Sequence, residues 1–274
     1  MRITDGTGCT REEIAALWQE CFGDSEEYIR FFLDTAYRPQ DLLAAREEDG
    51  LAAMLFLLPC RLAGQPGRYV FAVATRAKSR RQGFSTLLLE QAKRLGRERG
   101  ERFLCLVPAG QELFDFYARR GFFTAFDTVE GPVEELSAEG EDVSLAPAQL
   151  LGLRDGFFAR CGYYLRWGER EFFWHLRETR FTGGRVIALR LAGDTGYALA
   201  VPAGEGWFLK EVVYPGEMSR FLAAVHGRLP GRLTARLWPG AGQQGNRRGF
   251  GMLCPLGELC PAGEAENYIG LVLD

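Results

Sequence analysis

Apolar residues recur every three or four positions from Gly83 to Arg99, with Phe84, Leu87, Leu88, Ala92 and Leu95 on one face and Gly100 where such a helix would stop. The same spacing predicts helices over Arg11 to Cys21, over Ser25 to Tyr37 behind the capping sequence Asp24-Ser25-Glu26-Glu27, and over Gln111 to Arg120. Between them lie alternating or continuously apolar runs, Asp41 to Arg46, Leu51 to Leu62, Arg68 to Thr75 and Arg102 to Val107, which read as strands. Glu47-Glu48-Asp49-Gly50 and Ala63-Gly64-Gln65-Pro66-Gly67 are turn sequences, so the first three strands form an antiparallel meander. A strand beginning at Gly121-Phe122-Phe123 follows the Gln111 helix. Strand, helix and strand in that order predict a right-handed parallel crossover.

Gly131 to Ala146 has little apolar periodicity and reads as a linker or edge strand, which puts a boundary near residue 140. The second half then replays the first. It shows a helical region from Ala148 to Arg180, strands at Arg185 to Ala192, Thr195 to Pro202 and Gly206 to Tyr214, a helix from Glu217 to Leu229 and a strand at Arg232 to Trp238. The aromatic residues Phe157, Phe158, Tyr163, Tyr164, Trp167, Phe172, Phe173 and Trp174 fall at helical spacing and are expected as core or interdomain packing. Part of that face is expected to line an acceptor pocket between the domains.

Composition narrows the function. Lys plus Arg number 33 against 36 Asp plus Glu, a net charge of −3, which lacks the basic footprint of a dedicated nucleic-acid binder. The longest strongly apolar run, Leu51 to Leu58, is far short of the roughly 18 residues of a membrane span, and the start lacks the apolar core of a secretory signal. The 7 cysteines, Cys9, Cys21, Cys60, Cys105, Cys161, Cys254 and Cys260, have no CxxC spacing and read as reduced thiols of a cytoplasmic protein. With only His175 and His226 present, HExxH zinc chemistry is absent and no metal site is expected.

The stretch that carries chemistry runs from Val73-Ala74-Thr75 through Arg76-Ala77-Lys78-Ser79-Arg80-Arg81-Gln82-Gly83 into Phe84-Ser85-Thr86. A strand here passes through a basic, glycine-containing turn into a helix. The first turn of a helix leaves backbone N–H groups without partners and carries the positive end of the helix dipole, so it attracts phosphate. Gly83 lets the backbone come close, Ser85 is small, and Arg76, Lys78, Arg80 and Arg81 add positive charge. A pyrophosphate-bearing ligand follows from these residues; a solvated basic turn is the other reading.

Arg80-Arg81-Gln82-Gly83-Phe84-Ser85 resembles the acetyl-CoA-binding motif of the GNAT N-acetyltransferase superfamily, with Ser85 where that motif has Gly or Ala. The flanking strands and the sequence Phe116-Tyr117-Ala118-Arg119-Arg120-Gly121-Phe122 fall where the superfamily places them, and the resemblance is strongest over residues 66 to 124. It implies a fold of the α/β class with a mixed α+β sheet, mainly antiparallel around a β-α-β acyl-CoA-binding core. Residues 1–140 would form the acetyl-CoA-binding domain and 141–274 a degenerate GNAT-like domain. The two-unit arrangement is similar to the first two domains of enhanced-intracellular-survival type acetyltransferases, whose additional sterol-carrier-like domain has no room here.

By this resemblance the strands before and after the Gly83 helix splay apart and the pantetheine arm lies between them. Val73, Ala74 and Thr75 would contact the pantetheine and acetyl end, while Arg80, Arg81, Gln82, Gly83, Phe84, Ser85 and Thr86 would cradle the pyrophosphate. Tyr117 would protonate the leaving thiolate. Phe114 and Phe116 read as packing residues, Phe114 beside the cofactor, and Gly110 stands where many relatives have Asn. The reaction would be direct attack of a neutral amine on the thioester carbonyl.

No carboxylate stands out as the base. Glu47, Glu48 and Asp49 sit in a turn and read as solvated, and Glu211 interrupts an apolar strand, facing a cleft, paired or edge-exposed. In the survival-type family the terminal carboxylate reaches the active site, which raises Asp274, although a terminal strand over Tyr268 to Leu273 closing the second sheet is the expected role. The implied partners are acetyl-CoA and a small-molecule or peptide amine acceptor, with no nucleic acid and no membrane; a homodimer stays open. A non-catalytic acyl-CoA-binding sensor or partner-binding module is the alternative, and Arg247-Arg248 alone does not make a nucleic-acid stripe.

Overall fold

The computed structural model describes residues 2–134, 138–161, 163–241, 245–259 and 266–273. The backbone divides into two units, Met1–Phe123 with Met252–Leu259, and Thr124–Gly251 with Cys260–Asp274. In the first, β1 (Arg2–Asp5) is followed by α1 (Arg11–Phe22), α2 (Glu26–Thr35), β2 (Leu42–Glu47), β3 (Gly50–Leu62), β4 (Gln65–Thr75), α3 (Phe84–Glu98), β5 (Phe103–Leu106) and α4 (Gln111–Ala118). Side-chain caps fix two helix starts. Thr10 Oγ1 accepts from the Glu13 amide while the Glu13 carboxylate accepts from the Thr10 amide, and Ser25 Oγ accepts from the Tyr28 amide.

β1 to β4 pair antiparallel in sequence order, the meander that the turn sequences predict, and β4 runs parallel to β5. Phe84, Leu88, Leu89 and Ala92 of α3 pack with Leu55, Leu57, Val70 and Leu104 of the sheet. Trp18 and Phe32 of α1 and α2 bury Phe56 instead, with ring centres 5.7 and 5.2 Å from it. Leu55 and Leu57 thus belong to one layer and Phe56 to the other. A strand covered on both faces reads as a continuous apolar run, which is why Leu51 to Leu58 lacks alternation.

The strand expected beside β5 is elsewhere. β6 (Phe123–Pro132) pairs antiparallel with Leu237–Thr234, in the second unit, and the place beside β5 is taken by Met252–Pro255. The predicted crossover from β5 through α4 therefore does not close on β5. Alternation specifies that a strand exists; its neighbour is decided by packing between residues far apart in the chain.

The second unit contains β7 (Glu141–Asp142), α5 (Pro147–Phe158), β8 (Arg166–Trp167), α6 (Glu169–Phe181), β9 (Arg185–Leu191), β10 (Asp194–Ala203), β11 (Gly206–Val213), α7 (Met218–His226) and β12 (Leu233–Leu237). Its strand order is β7-β9-β10-β11-β12-β6, and β13 (Asn246–Pro255) lies next to β6. The series α1-α2-β2-β3-β4-α3-β5 recurs here as α5-α6-β9-β10-β11-α7-β12, and β11 runs parallel to β12 as β4 does to β5.

The division falls at Phe123, ahead of the Gly131 to Ala146 stretch. Tyr268 to Leu273 forms no strand; Tyr268 makes a single bridge to Tyr164, and β13 is the last strand among the described residues. Asp274 and Cys260 lie outside the described residues. Phe157, Phe158, Tyr163, Trp167, Phe172 and Trp174, all residues of the second unit, are buried. No described helix is long and apolar enough to cross a membrane.

Candidate functional site

β4 prepares the site by departing from regular pairing. Ala53 faces Thr75 and Met54 faces Ala74, but Phe56 faces Phe71, so β4 holds one residue more than β3 in between. Ala72, inside this bulge, has φ +48°. Such bulges turn backbone groups out of the ladder, and left-handed non-glycine residues concentrate at functional sites. Along its other edge β4 pairs with β5 only from Gly67 to Tyr69. From Val70 to Thr75 that edge has no strand partner among the described residues.

The turn after β4 is held from below by acids. Ser79 is buried and donates to the Glu47 carboxylate at 2.8 Å, and the Ala77 amide donates to Glu20 at 2.6 Å. Asp49 pairs with both Lys78 and Arg76. Two of the four cations counted in the sequence are thereby neutralised. Arg80 Nε donates to the Thr75 carbonyl at 3.2 Å, and Arg81 makes no hydrogen bond or ion pair among the described residues.

Arg81 at φ +64° and Gly83 at φ +85° swing the chain into α3, whose start carries no side-chain cap, unlike α1 and α2. A Cβ on Gly83 would meet nothing within 4 Å, so the space beside Gly83 is open. Ser85 Oγ lies 2.9 Å from Thr75 Oγ1, which ties the helix start to the end of β4 and accounts for a serine at this motif position. Thr75, Ser79, Arg80, Arg81, Gly83, Phe84, Ser85, Thr86, Phe116 and Arg120 line a cleft of about 260 Å³. That is enough for part of an extended ligand, since pockets that enclose whole small molecules run from about 300 Å³ upward. A hollow of about 340 Å³ near β1 is lined by Arg2, Arg46, Glu47 and Glu48 with Thr4 and Gly8. Its charges balance, and Glu13 already holds Arg46 at 2.7 Å.

The cleft therefore gathers most of the residues singled out in the sequence, but not all. Val73 and Phe114 pack against the core, Ala74 is buried opposite Met54, and the Gln82 side chain donates to the Lys78 carbonyl. Tyr117 does not line the cleft. It is buried between Phe116 and Phe122, ring centres 5.1 and 5.7 Å away, and burial pushes its phenol up to about 12. Its hydroxyl has no hydrogen-bond partner among the described residues. Glu211 is sealed: Arg154 Nε lies 3.0 and 3.2 Å from its oxygens and Tyr197 donates to it at 2.6 Å, all fully buried. Of its three sequence readings, cleft-facing, paired and edge-exposed, the paired one holds.

Sequence reasoning missed Arg120 and gave Phe116 only packing. The guanidinium of Arg120 stacks on Phe116 and donates to Thr86, so both border the cleft. The doublet Arg119-Arg120 was visible, but which arginine turns inward depends on how the chain leaves α4 at Gly121, φ +80°. Arg247 and Arg248 pair with Asp127, Glu266 and Glu130, so their charge is met within the fold.

Residues 4–125, the segment that holds the cleft, match the family model described as an acetyltransferase (GNAT) domain. A GCN5-related N-acetyltransferase from Anabaena variabilis has a similar fold, TM-score 0.72 at 16% identity, covering 93% of this chain and 73% of that one. A probable N-acyltransferase from Enterococcus faecalis gives TM-score 0.70 at 13% identity over 92% and 72% of the two chains. Eis1 from Mycobacterium abscessus gives 0.64 at 13% identity over 93% and 74%. No curated protein matches the chain in sequence.

Proposed function

We propose that the chain is an acetyl-CoA-dependent N-acetyltransferase that moves an acetyl group onto a primary amine of a small molecule or peptide by direct attack. The cleft carries this reading: an uncapped helix start behind a left-handed Gly83, two arginines without ion pairs, and the free edge of β4 beside it. Helix-terminal amides and arginine suit a pyrophosphate, and the open space over Gly83 is where a Cβ would intrude. The edge from Val70 to Thr75 offers amide groups to a pantetheine arm. When bound, acetyl-CoA supplies an activated acetyl carbon and a thiolate leaving group. The bulge at Ala72 is the place for a backbone N–H to polarise the acyl oxygen. Tyr117 keeps its proton throughout the neutral range, the form a general acid requires. The described cysteines are free thiols, which suits a cytoplasmic location.

A non-catalytic acyl-CoA sensor is the second reading. It is favoured by the absence of a carboxylate among the described lining residues and by the depth of Tyr117. Calorimetric titration with acetyl-CoA, beside the double variant Arg81→Glu/Gly83→Asp, tests the cofactor step. Micromolar binding that the variant loses supports the site, and no binding by the wild type overturns it. Thiol release with an amine panel then separates enzyme from sensor.

A further inference from the structure

We propose that Arg120, two residues past the end of α4, sets the affinity for the nucleotide end of the acyl donor, acting as a fixed phosphate-binding cation; this rests on the acetyl-CoA reading of the cleft. Its guanidinium carbon lies 3.5 Å from the centre of the Phe116 ring. Nε and Nη2 donate to Thr86 Oγ1 at 2.9 and 2.6 Å, and Nη1 donates to the Phe116 carbonyl at 2.6 Å. Lys93 Nζ holds the Arg120 carbonyl at 2.5 Å. A side chain stacked and bonded at three points has lost most of its rotamer freedom before any ligand arrives.

The charge is nevertheless unspent. No carboxylate lies within ion-pair distance of Arg120 among the described residues, unlike Arg76 and Lys78. A guanidinium has five N–H groups, so two on its terminal nitrogens remain for a ligand at the cleft that Arg120 lines. Its position also cures an electrostatic fault. The last carbonyls of α4, Phe116 among them, carry the negative end of that helix and would repel the anion that the start of α3 attracts. By capping the Phe116 carbonyl, Arg120 reverses the sign of that wall.

The test is calorimetric titration of the full chain with CoA and with dephospho-CoA, for the wild type, Arg120→Leu, Arg120→Lys and Thr86→Val, at two salt concentrations. Arg120→Leu is expected to bind CoA about 10- to 100-fold more weakly, the worth of a charge-assisted hydrogen bond. Its affinity should also fall less steeply with salt, because one screened charge is gone. Arg120→Lys, which keeps the charge without the fork, should lie between, as should Thr86→Val, which frees the guanidinium. Equal weakening for dephospho-CoA assigns the contact to the pyrophosphate, and weakening for CoA alone assigns it to the 3′-phosphate. Wild-type affinity in Arg120→Leu, or lower affinity with an unchanged salt slope, overturns the proposal. A wild type that binds neither ligand overturns the acetyl-CoA reading itself.

Discussion

The two units repeat one series of elements and differ most where a parallel-paired strand enters a helix. After β4 the chain is basic, left-handed at Arg81 and Gly83, and open beside Gly83. After β11 the corresponding turn is filled. The Tyr214 ring stacks on Phe221 at 4.6 Å and its hydroxyl donates to the Leu191 carbonyl, while a Cβ on Gly216 would strike that ring at 2.8 Å. Glu217 precedes α7 and accepts from Ser219 Oγ, which sets a carboxylate where a phosphate would need donors. The strands differ as well. β4 carries Phe71-Ala72-Val73-Ala74-Thr75 along its free edge, whereas β11 carries Lys210 and Glu211, buried in ion pairs with Glu178 and Arg154. A shared frame therefore does not make a site; a few turn residues and the polarity of one strand do.

The sharpest way to break this comparison is inside the second unit. Arg154→Met leaves Glu211 buried without its cation and should cost about 3–5 kcal/mol of stability. Denaturant unfolding read by tryptophan fluorescence would show it, since Trp167, Trp174, Trp207 and Trp238 belong to that unit and only Trp18 to the first. Acetyl-CoA affinity of the folded variant should stay within about twofold; a parallel loss would mean that the second unit shapes the cleft. Next, Arg81→Glu/Gly83→Asp should weaken acetyl-CoA binding by more than about 100-fold, because it combines repulsion, lost cation and a strained left-handed position. Replacing Glu217 with Lys in the second unit should create no binding at all.

Tyr117→Phe separates chemistry from packing. A drop in kcat of about 100-fold with unchanged acetyl-CoA affinity is expected of a general acid; full activity would return the residue to the core. The smallest effect concerns His175. Burial, with Lys210 and Arg154 nearby, holds its imidazole well below the ordinary 6.5, so the native state keeps it neutral while the unfolded chain takes up the proton first. Stability from this group is present above pH 6.5 and is lost as the pH falls below it, by up to about 1.4 kcal/mol per pH unit. His175→Leu should flatten that slope in acid unfolding curves.

Local patterns carried much of this. The capping sequence at Ser25, the apolar face of α3 and the turns at Glu47 and Ala63 placed elements to within a few residues, and the turn from Arg80 to Thr86 pointed to the cleft. What failed shares one cause. β13 begins Asn246-Arg247-Arg248-Gly249, with no periodicity to announce a strand, and its partners β5 and β6 lie more than a hundred residues earlier in the chain. Gln82 lay in the motif but turns back to Lys78, and Arg120 lay outside it but turns in.

The sequence by itself determined the order of elements from α1 to β5 and from β9 to β12, and the basic, glycine-containing turn, because capping, periodicity and turn chemistry act over a few neighbouring residues. Only the tertiary structure decided which strand lies beside β5, which cations are neutralised by Asp49, that Glu211 is sealed by Arg154, and that Arg120 faces the cleft. Those outcomes depend on burial and charge pairing between residues distant in the chain, a cost or gain that exists only once the core has formed.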